Sequence, residues 1–298
     1  MGKAMKPGVM VIGSSNLDTS IYLDRFASPG ETVHAAGKKV SCGGKGANQA
    51  VAAARAGADV TFMTALGDDP EGKILEERLS EEGMTLSIVR KQCDTGQAFI
   101  EIDSRSENRI AVIGGANMVM TPEDVKDASS AISGRGILVV QNEIPSETDL
   151  AAMKIASDNG TMTIYNPAPC RPMAEGMLSM TDILAVNETE FRYFAGTDDL
   201  EKGSAALISG GAKAVVVTLG KAGCFYAYGG RSETVPAPET DAIDTSGAGD
   251  TFVGYLAASL SNGSSIEESV RLATAAASMS CARKGAMDGI PTIGEIRF

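Results

Sequence analysis

The sequence contains no tryptophan and one histidine, His34, and its Phe and Tyr residues amount to only 5% of the 298 positions. A catalytic triad that uses histidine would have to rest on that one residue, and a metal site rich in histidine is excluded. His34 lies in the segment TVHAAGKKV, whose composition is typical of a strand, so we interpret it as an ordinary strand residue.

Cysteine is also scarce. The five cysteines are odd in number, are scattered along the chain and never form a C-x-x-C pair. That spacing fits reduced thiols, and it fits neither a disulfide framework nor a zinc knuckle. The residues concerned are Cys42, Cys93, Cys170, Cys224 and Cys281.

The sequence has no run of about 18 apolar residues, so no segment is long and apolar enough to span a membrane. Its first residues, MGKAMKPGVMVIG, lead almost directly into an apolar strand. They lack the charged, apolar and small-residue zones of a signal peptide. We therefore expect a cytoplasmic protein.

Basic residues are outnumbered, with 26 Lys and Arg against 38 Asp and Glu and a net charge of −12. A nucleic-acid surface needs a basic stripe, so this balance argues against such a partner. It also means that a bound nucleoside triphosphate would need local compensation for the overall repulsion. Metal ions, helix N-termini and a few well-placed lysines can supply that compensation.

Short β-branched runs alternate with amphipathic or alanine-rich segments along most of the chain. Apolar strands separated by helices predict an α/β fold with a parallel sheet covered on both faces. The predicted strands are residues 9–12, 60–64, 137–141, 161–165, 183–186 and 215–219. The predicted helices are residues 47–56, 71–82, 147–159, 249–260 and 266–282.

Two segments interrupt this alternation, because they are strand-like and contain no helix. The second reads as a hairpin, GQAFIEID and NRIAVI joined by SRSE. We infer a small sheet on the edge of the main domain, and a sheet with one packed face has to cover a substrate, a second subunit or both. The predicted main domain is residues 1–17, 42–94 and 114–298, and the predicted β lid is residues 18–41 and 95–113.

The stretch DTSGAGDTF, residues 244–252, places two carboxylates six residues apart. Gly247, Ala248 and Gly249 stand between them at a predicted helix start, where consecutive N–H groups form a cradle that a phosphate can approach closely. Asp250 alone could be only the N-cap of that helix. The whole string supplies more, an anion hole and a general base for a hydroxyl proton, which is worth about 10²–10⁴ in rate.

A second glycine cluster, CGGKGANQ, also opens a predicted helix. A tight turn between strand and helix accounts for its glycines but not for Lys45 and Asn48, which could hydrogen-bond sugar hydroxyls or a phosphate. A third piece, GSSNLD, follows the first strand, where ligands of open parallel sheets bind. Its Asn16 and Asp18 form a donor–acceptor pair suited to a polyol, although exposed loop polarity explains that piece equally well by itself.

One motif is misleading. GDDPEGK matches the start of the P-loop pattern G-x-x-x-x-G-K, but the next residue, Ile74, has no hydroxyl for magnesium and the three acids would repel phosphate. Pro70 and Glu71 suit the first turn of a helix instead. No G-x-G-x-x-G follows a strand and no G-x-S-x-G occurs, so the sequence supports neither a nicotinamide dehydrogenase nor a hydrolase elbow.

Together these strings resemble the ribokinase-type carbohydrate kinases, the family also called PfkB. GGKGANQAVAAARAGADVTFMTALGDDPEG is similar to the first signature of that family, and DTSGAGDTFVGYLAASL is similar to the second. Smaller blocks, among them SPGETV, NPAP, VNETE, VTLGKAG and ARKGA, extend the resemblance over residues 9–291. The resemblance implies a Rossmann-like three-layer α/β/α domain with a small β-sheet lid, and lids that pair in a homodimer.

By position in these motifs, the resemblance implies that Asp250 is the catalytic base for a primary hydroxyl of the sugar. It implies that Gly247, Ala248 and Gly249 form the anion hole. The residues that would hold the sugar together with Asp250 are Asn16, Asp18, Gly44, Lys45, Asn48 and Glu143.

The resemblance also implies a site for ATP. Asn187 and Glu190 form the N-x-x-E pattern of the family, which places Glu190 near magnesium, in direct contact or through water, because magnesium commonly keeps its own waters. An ordinary helix start is the alternative interpretation of this pair, and close packing is the alternative for the alanine-rich helix around Thr274. The implied nucleotide-binding residues are Asn187, Thr218, Gly220, Gly223, Gly249 and Thr274.

Asp244, the first acid of DTSGAGDTF, is by resemblance not catalytic. It would support a monovalent cation, usually potassium, beside the anion hole. Backbone oxygens would complete that site, contributed by Ser246, Ser280, Arg283, Gly285 and Gly289.

The leading hypothesis is ATP-dependent phosphorylation of D-ribose at its 5-hydroxyl. Lys45 is the main cation of the sugar site, which favours a neutral sugar, and the amide of Asn16 could read a 2-hydroxyl, which favours ribose over 2-deoxyribose. Asn142 stands where the family usually has an apolar residue, so we expect a slightly altered sugar pocket.

Other hypotheses stay open. The chain could phosphorylate another neutral sugar, such as 2-deoxyribose or a ketohexose, or a nucleoside, although aromatics that could stack on a base are few. A sugar-binding protein without turnover would be expected to lose Asp250 or the G-A-G run, and both are intact.

Overall fold

The structure is a computed structural model and describes residues 7–105 and 107–297. Its strands are β1 (Val9–Ile12), β2 (Asn16–Leu23), β3 (Ala35–Gly43), β4 (Val60–Gly67), β5 (Thr85–Lys91), β6 (Gly96–Ile102), β7 (Asn108–Ile113), β8 (Ile137–Gln141), β9 (Met162–Asn166), β10 (Ile183–Asn187), β11 (Ala214–Thr218), β12 (Cys224–Tyr228) and β13 (Arg231–Val235). Its α-helices are α1 (Lys45–Arg55), α2 (Pro70–Ser80), α3 (Pro122–Asp127), α4 (Ser129–Gly134), α5 (Ser146–Asn159), α6 (Glu188–Ala195), α7 (Leu200–Ser209), α8 (Ala248–Ser261) and α9 (Ile266–Cys281).

Nine strands form one large sheet in the order β13-β12-β11-β10-β9-β8-β1-β4-β5. Its strands from β11 to β5 are parallel, and β12 and β13 add an antiparallel edge. Because side chains alternate across a strand, Val9 and Val11 enter the core beneath α1, α8 and α9, whereas Met10 and Ile12 enter the core beneath α5. All four residues are fully buried, which explains why β1 is apolar throughout.

A second sheet has the order β3-β2-β6-β7. β2 and β6 are parallel, and the two outer pairs are antiparallel. In this sheet β2 begins at Asn16 and β3 ends at Gly43, so these two strands extend two residues beyond each end of the predicted lid segment 18–41. All six residues of β7 are exposed. Among the described residues, no helix is long and apolar enough to cross a membrane.

The predicted α/β fold with a small sheet is confirmed, and so are the predicted strands and helices, whose ends differ from the observed ones by at most three residues. His34 was placed wrongly in a strand, since it lies one residue before β3 and is exposed. The interpretation of GDDPEGK as a helix start is confirmed, because Asp69 caps α2 by accepting the N–H of Gly72 at 2.7 Å.

Sequence analysis missed the strands β5, β12 and β13 and the helices α3, α4 and α7, and it gave the start of α6 only as the alternative interpretation of Asn187 and Glu190. The sequence does contain a signal for the hairpin of β12 and β13. Gly229-Gly230 joins β12 to β13 with φ angles of 61° and 77°, which is the backbone of a two-residue hairpin turn. Three of the short helices, α3, α6 and α7, carry side-chain caps that the sequence also contains, such as Thr121 with Asp124 at the start of α3.

Candidate active site

The candidate site lies at the carboxyl ends of the parallel strands. Asn166, Asn187 and Thr218 are the last residues of β9, β10 and β11, and all three line one small cavity. Lys45, at the start of α1, and Asp250, in the first turn of α8, line the same cavity. Ligands of open α/β sheets bind in this position, because the loops after the strands and the N-termini of the helices meet there.

Asp250 is the third residue of α8 and only 6% exposed. It is therefore not the N-cap. Gly247 occupies that position with φ of 73°, and a Cβ on Gly247 would lie 2.9 Å from backbone atoms of Ala286. A Cβ on Gly249 would meet nothing within 4 Å, so the space in front of the helix end is open. N–H groups of a first helical turn have no partner within the helix, so this open space faces donors suited to an anion.

Side-chain amides hold the Asp250 carboxylate. Asn48 donates from Nδ2 to Oδ2 at 3.1 Å, and Gln49 donates from Nε2 to Oδ1 at 3.0 Å. Lys45 Nζ lies 4.0 Å from Oδ1. Asn48 Oδ1 is buried and has no hydrogen-bond partner among the described residues, so this acceptor is left for a ligand hydroxyl.

Gln49 is fully buried and belongs to a longer chain of amides. Its Nε2 also donates to Asn166 Oδ1 at 3.0 Å, and Asn166 Nδ2 donates to the backbone oxygen of Ala185 at 2.8 Å. Gln141 Nε2 donates to Gln49 Oε1 at 2.8 Å. Sequence analysis assigned no role to these amides, although Gln49 and Asn166 stand inside the motifs GGKGANQ and NPAP.

The predicted sugar residues Asp18, Glu143 and Lys45 also come together. Burial, and then the carboxylate of Glu143, raises the pKa of Asp18 to about 7. Glu143 Oε2 accepts the backbone N–H of Lys45 at 2.9 Å and the hydroxyl of Ser14 at 2.5 Å. Asp250 raises the pKa of Lys45 above its usual value against the effect of burial, and Glu143 and Glu190 act in the same direction. The ammonium of Lys45 thus lies among three carboxylates.

Asn16 is nearly buried, and its amide is oriented by Asn117, which sequence analysis missed. Asn117 Nδ2 donates to Asn16 Oδ1 at 2.9 Å and to the backbone oxygen of Ser15 at 3.0 Å, and Asn117 Oδ1 accepts the N–H of Ser15. Because Oδ1 of Asn16 is occupied, its Nδ2 is the end that remains to donate to a ligand.

Two glycines allow the backbone to pack closely beside the predicted sugar-binding residues. Gly44 has φ of 92°, and a Cβ there would lie 2.9 Å from backbone atoms of Ser14, Ser15 and Asn16. A Cβ on Gly43 would lie 2.1 Å from Asp18 Oδ2. These glycines therefore let α1 and β3 approach the loop that carries Asn16 and Asp18.

Asn142, predicted to alter the sugar pocket, makes contacts in another direction. Its Nδ2 donates to the backbone oxygen of Pro169 at 3.0 Å, its Oδ1 accepts the hydroxyl of Tyr165 at 2.7 Å, and its N–H donates to Ala168. Asn142 therefore fastens the loop after β9.

A larger cleft of about 530 Å³ adjoins the small cavity at the head of α8. Thr218, Gly249 and Phe252 line both, so the two spaces meet there. The cleft is also lined by the other residues predicted to flank the nucleotide, which are Gly220, Gly223 and Thr274. Asn187 lines only the small cavity.

Asn187 and Glu190 form a capping box at the start of α6. Asn187 Oδ1 accepts the N–H of Glu190 at 2.8 Å, and Glu190 Oε2 accepts the N–H of Asn187 at 2.9 Å. Burial raises the pKa of Glu190, and the charge of Asp250 adds to this. The pair therefore has a local structural role, and Glu190 also faces the small cavity.

Asp244 lies apart from Asp250 and is held by backbone donors. Its Oδ1 accepts the N–H of Ser246 at 2.9 Å, and its Oδ2 accepts the N–H of Gly285 at 2.8 Å. Partial burial acts to raise its pKa, but these two N–H groups outweigh it and hold the pKa below the usual value.

Two of the carbonyl oxygens predicted around the monovalent cation converge. A Cβ on Gly289 would lie 2.5 Å from Gly285 O and 3.4 Å from Ser280 O. Each oxygen also accepts one backbone N–H, from Gly289 and Arg283 respectively, which leaves each carbonyl a second lone pair. The space that Gly289 leaves open therefore suits an ion held by oxygens.

Comparison with known proteins gives matches over nearly the whole chain. The sequence pattern of the pfkB family carbohydrate kinases matches residues 6–293. The ribokinase of Staphylococcus aureus is 37% identical over 297 residues, which cover 97% of this chain and 98% of that protein. The deoxyribokinase of Salmonella typhi is 32% identical over 293 residues, 96% of each chain. The structure of the Arabidopsis thaliana ribokinase complexed with ribose and ATP superposes with a TM-score of 0.90 at 32% identity, covering 98% of both chains.

Proposed function

The chain belongs to the pfkB family of carbohydrate kinases, and from this we propose that it transfers the terminal phosphoryl group of ATP to the 5-hydroxyl of D-ribose. One observation carries the proposal. The carboxylate of Asp250 stands at the head of α8, where the small cavity that it shares with Lys45 meets the larger cleft. A base in that place can reach an alcohol on one side and a phosphate on the other.

In the proposed reaction, one oxygen of Asp250 accepts the proton of the 5-hydroxyl while the hydroxyl oxygen bonds to the terminal phosphorus. The bond between that phosphorus and the bridging oxygen of ATP breaks, and ADP leaves with the electron pair. The N–H groups of Gly247, Ala248 and Gly249 stabilise the negative charge on the phosphoryl oxygens during transfer. No residue has to form a covalent intermediate.

The sugar would be held from two sides. Asp18, Glu143 and the unpaired Oδ1 of Asn48 would accept hydrogen bonds from its hydroxyls, and Lys45 and Nδ2 of Asn16 would donate. Gly44 contributes because its lack of a side chain lets the start of α1 approach the loop that carries Asn16 and Asp18. This balance of acceptors and donors suits a neutral polyol, and the site offers one lysine rather than the cluster of cations that a sugar phosphate would need.

The larger cleft is proposed to bind ATP, with Thr218, Gly220, Gly223 and Thr274 beside the nucleotide and Asn187 and Gly249 near its phosphates. Among the described residues, no group of three or more His, Cys, Asp or Glu side chains could hold a metal ion alone. Magnesium would therefore bind through ATP oxygens and waters, with Glu190 as the acidic partner in the small cavity. It would neutralise phosphate charge that this acidic chain otherwise repels.

The oxygen-lined space beside Asp244 is proposed to hold potassium. Asp244 would supply the negative charge, and backbone oxygens of Ser246, Ser280, Arg283, Gly285 and Gly289 would supply the ligands. A cation there would fix the segment that contacts Gly247 through Ala286, and it would thereby keep the N–H groups of α8 aligned.

The second sheet is proposed to act as a lid over the sugar and as the contact of a homodimer. Through the register Asp18–Ala98–Val112, it presents Val112 on the face that carries Asp18. Val112 is 60% exposed and Ile110, two residues away on the same face, is 57% exposed. An apolar face of this kind is stabilised when a second copy covers it. A cytoplasmic location, where ATP is available, completes the proposal.

The test is ADP release with a panel of pentoses, hexoses and nucleosides, in sodium and in potassium buffer. Ribose-dependent release that potassium increases supports the proposal. Release with nucleosides alone would make the chain a nucleoside kinase, and no release with any acceptor would indicate a sugar-binding protein without turnover.

A second candidate substrate is 2-deoxyribose, because a deoxyribokinase is among the similar proteins. The amide of Asn16 favours ribose, since its fixed Nδ2 would lose an acceptor when the 2-hydroxyl is absent. A higher kcat/KM for deoxyribose than for ribose would reverse this assignment.

A further inference from the structure

The chain of buried amides behind Asp250 has a fixed direction. The backbone oxygen of Ala185 can only accept, so the group of Asn166 that faces it has to be Nδ2. Oδ1 of Asn166 then faces Gln49 and needs a donor, which only Nε2 of Gln49 can supply. The orientation of two side-chain amides is thus set by one strand carbonyl.

The other contacts of Gln49 agree with this direction. An ionised carboxylate accepts only, so Asp250 also requires the Nε2 end of Gln49. Oε1 of Gln49 is left as an acceptor, and Gln141 donates to it at 2.8 Å. Both protons of Nε2 and one acceptor site of Oε1 are therefore used, and reversing the amide would break three hydrogen bonds at once.

The position of Gln49 keeps its side chain out of contact with a ligand. Its side chain is fully buried, and it lines neither the small cavity nor the larger cleft. Lys45 contacts Asp250 too, but it lines the small cavity and is available to a sugar. Asn48 also contacts Asp250 and lines neither space, but its buried Oδ1 has no hydrogen-bond partner among the described residues and is left for a sugar hydroxyl. Gln49 is thus the contact of Asp250 that a sugar cannot displace.

We infer that Gln49 is a positioning residue, whose amide, fixed by Gln141 and Asn166, holds the Asp250 carboxylate in the orientation that receives the proton of the sugar hydroxyl. This inference rests on the proposed function of Asp250 as a base. It implies that Gln49 affects the chemical step and leaves sugar affinity nearly unchanged, because a base misplaced by about 1 Å can lose about 100-fold in rate.

The experiment compares wild type with Gln49→Met, which removes the donor at similar length, and Gln49→Glu, which replaces the donor by an acceptor. We expect kcat with ribose to fall by about 10- to 100-fold in both variants. Ribose Kd from calorimetry and ribose KM should stay within about threefold of wild type, since the sugar contacts remain. Gln141→Met, which frees Oε1 of Gln49, should lower kcat in the same direction by a smaller factor.

Thr148→Val is the matched control. Thr148 is fully buried and donates to the backbone oxygen of Met120 at 2.7 Å, outside both cavities. Loss of this buried hydrogen bond should lower the thermal midpoint of unfolding and leave kcat unchanged. A folded Gln49→Met with wild-type kcat, or one in which ribose affinity falls as much as kcat, would overturn the inference. If neither Gln49 variant folds, Gln141→Met decides, and wild-type kcat in that variant would overturn it.

Failure of the proposed function gives a different result. Wild type would then release no ADP with ribose, and the position of Asp250 would be determined directly in crystal structures of wild type and Gln49→Met. A carboxylate that turns away from Asn48 in the variant supports positioning by Gln49. A carboxylate that stays in place contradicts it, whatever the substrate is.

Discussion

Asp244 and Asp250 belong to one short string, but the fold gives them different partners. Asp250 is held by the side-chain amides of Asn48 and Gln49 and faces the small cavity. Asp244 is held by the backbone N–H groups of Ser246 and Gly285, which occupy one lone pair on each oxygen. A proton acceptor has to face a substrate, so of these two acids we propose Asp250 as the base.

Replacement of Asp250 by Asn should lower kcat by about 10²–10⁴-fold, because the amide cannot accept the hydroxyl proton. Ribose binding measured by calorimetry should persist, since Asp18, Glu143 and Asn48 remain. The thermal midpoint provides the control for folding. A variant that keeps full turnover would mean that another group removes the proton.

The raised pKa of Asp18 leads us to expect that sugar binding depends on pH. Its pKa is raised to about 7, first by burial and then by Glu143, so the sugar-free protein holds a proton on Asp18 below that pH. A hydroxyl that donates to Asp18 requires that proton to leave, so ribose Kd should increase by up to about tenfold for each pH unit below 7 and be constant above it.

Calorimetric titration with ribose on both sides of pH 7 measures this dependence, and Asp18→Asn is the comparison. The variant should bind ribose more weakly, and its Kd should lose the change centred near pH 7. Tighter binding at low pH in wild type would indicate that Asp18 acts as a protonated donor instead.

At the scale of elements, β3 shows how a strand contributes through the absence of a side chain. Its last residue, Gly43, leaves room for the carboxylate of Asp18, and a Cβ would come within 2.1 Å of Oδ2. Gly37 lies in the same strand, and a Cβ there would meet nothing within 4 Å. One strand therefore contains a glycine that the site needs and a glycine that it does not need.

Gly43→Ala should displace Asp18 and raise ribose KM by about tenfold or more, because one charge-assisted hydrogen bond is worth about 1.5–3 kcal/mol. Gly37→Ala should leave ribose KM unchanged. Steady-state kinetics on the two variants tests this pair. Equal KM values would show that the loop with Asp18 adjusts to the added methyl group.

At the scale of the whole molecule, the two sheets have different surroundings. The large sheet is covered by helices, whereas β7 at the edge of the small sheet is exposed along its whole length. The lid contacts the loop before the C-terminus through Lys39, whose Nζ lies 3.2 Å from Asp288. Exposed pairs of this kind contribute little, about 0–1 kcal/mol, so we expect the position of the proposed lid to depend mainly on the sugar and, in the proposed dimer, on a second copy.

Val112→Glu should convert the proposed dimer to monomer, because it places a charge in the apolar face of the lid. Tyr228→Glu is the control, since Tyr228 is 50% exposed and belongs to β12 of the large sheet rather than to the small sheet. Sedimentation velocity measures the oligomeric state of wild type and of both variants. A wild-type protein that sediments as a monomer, or a Val112→Glu variant that stays dimeric, would contradict pairing through the lid.

Much of the architecture could be predicted from short stretches of the sequence. The period of apolar residues indicated the strands and helices, and the glycine strings marked the starts of α1 and α8, because these signals depend on neighbouring residues. The helix α7 and the hairpin β12–β13 were missed, since short elements carry few residues from which a period can be counted. The small sheet was foreseen from two strand-like insertions, but its strand order was not.

The sequence by itself determined the family, the α/β fold and the motifs that contain Asp18, Lys45 and Asp250. Only the tertiary structure decided which side chains touch Asp250. Asn48 and Gln49 precede it by 202 and 201 residues, and Asn117 orients Asn16 from 101 residues away. Sequence patterns report the backbone of a few neighbouring residues. The partners of a buried amide are instead set by strand order and packing, which bring distant segments to one sheet edge and fix which acceptors each donor can reach.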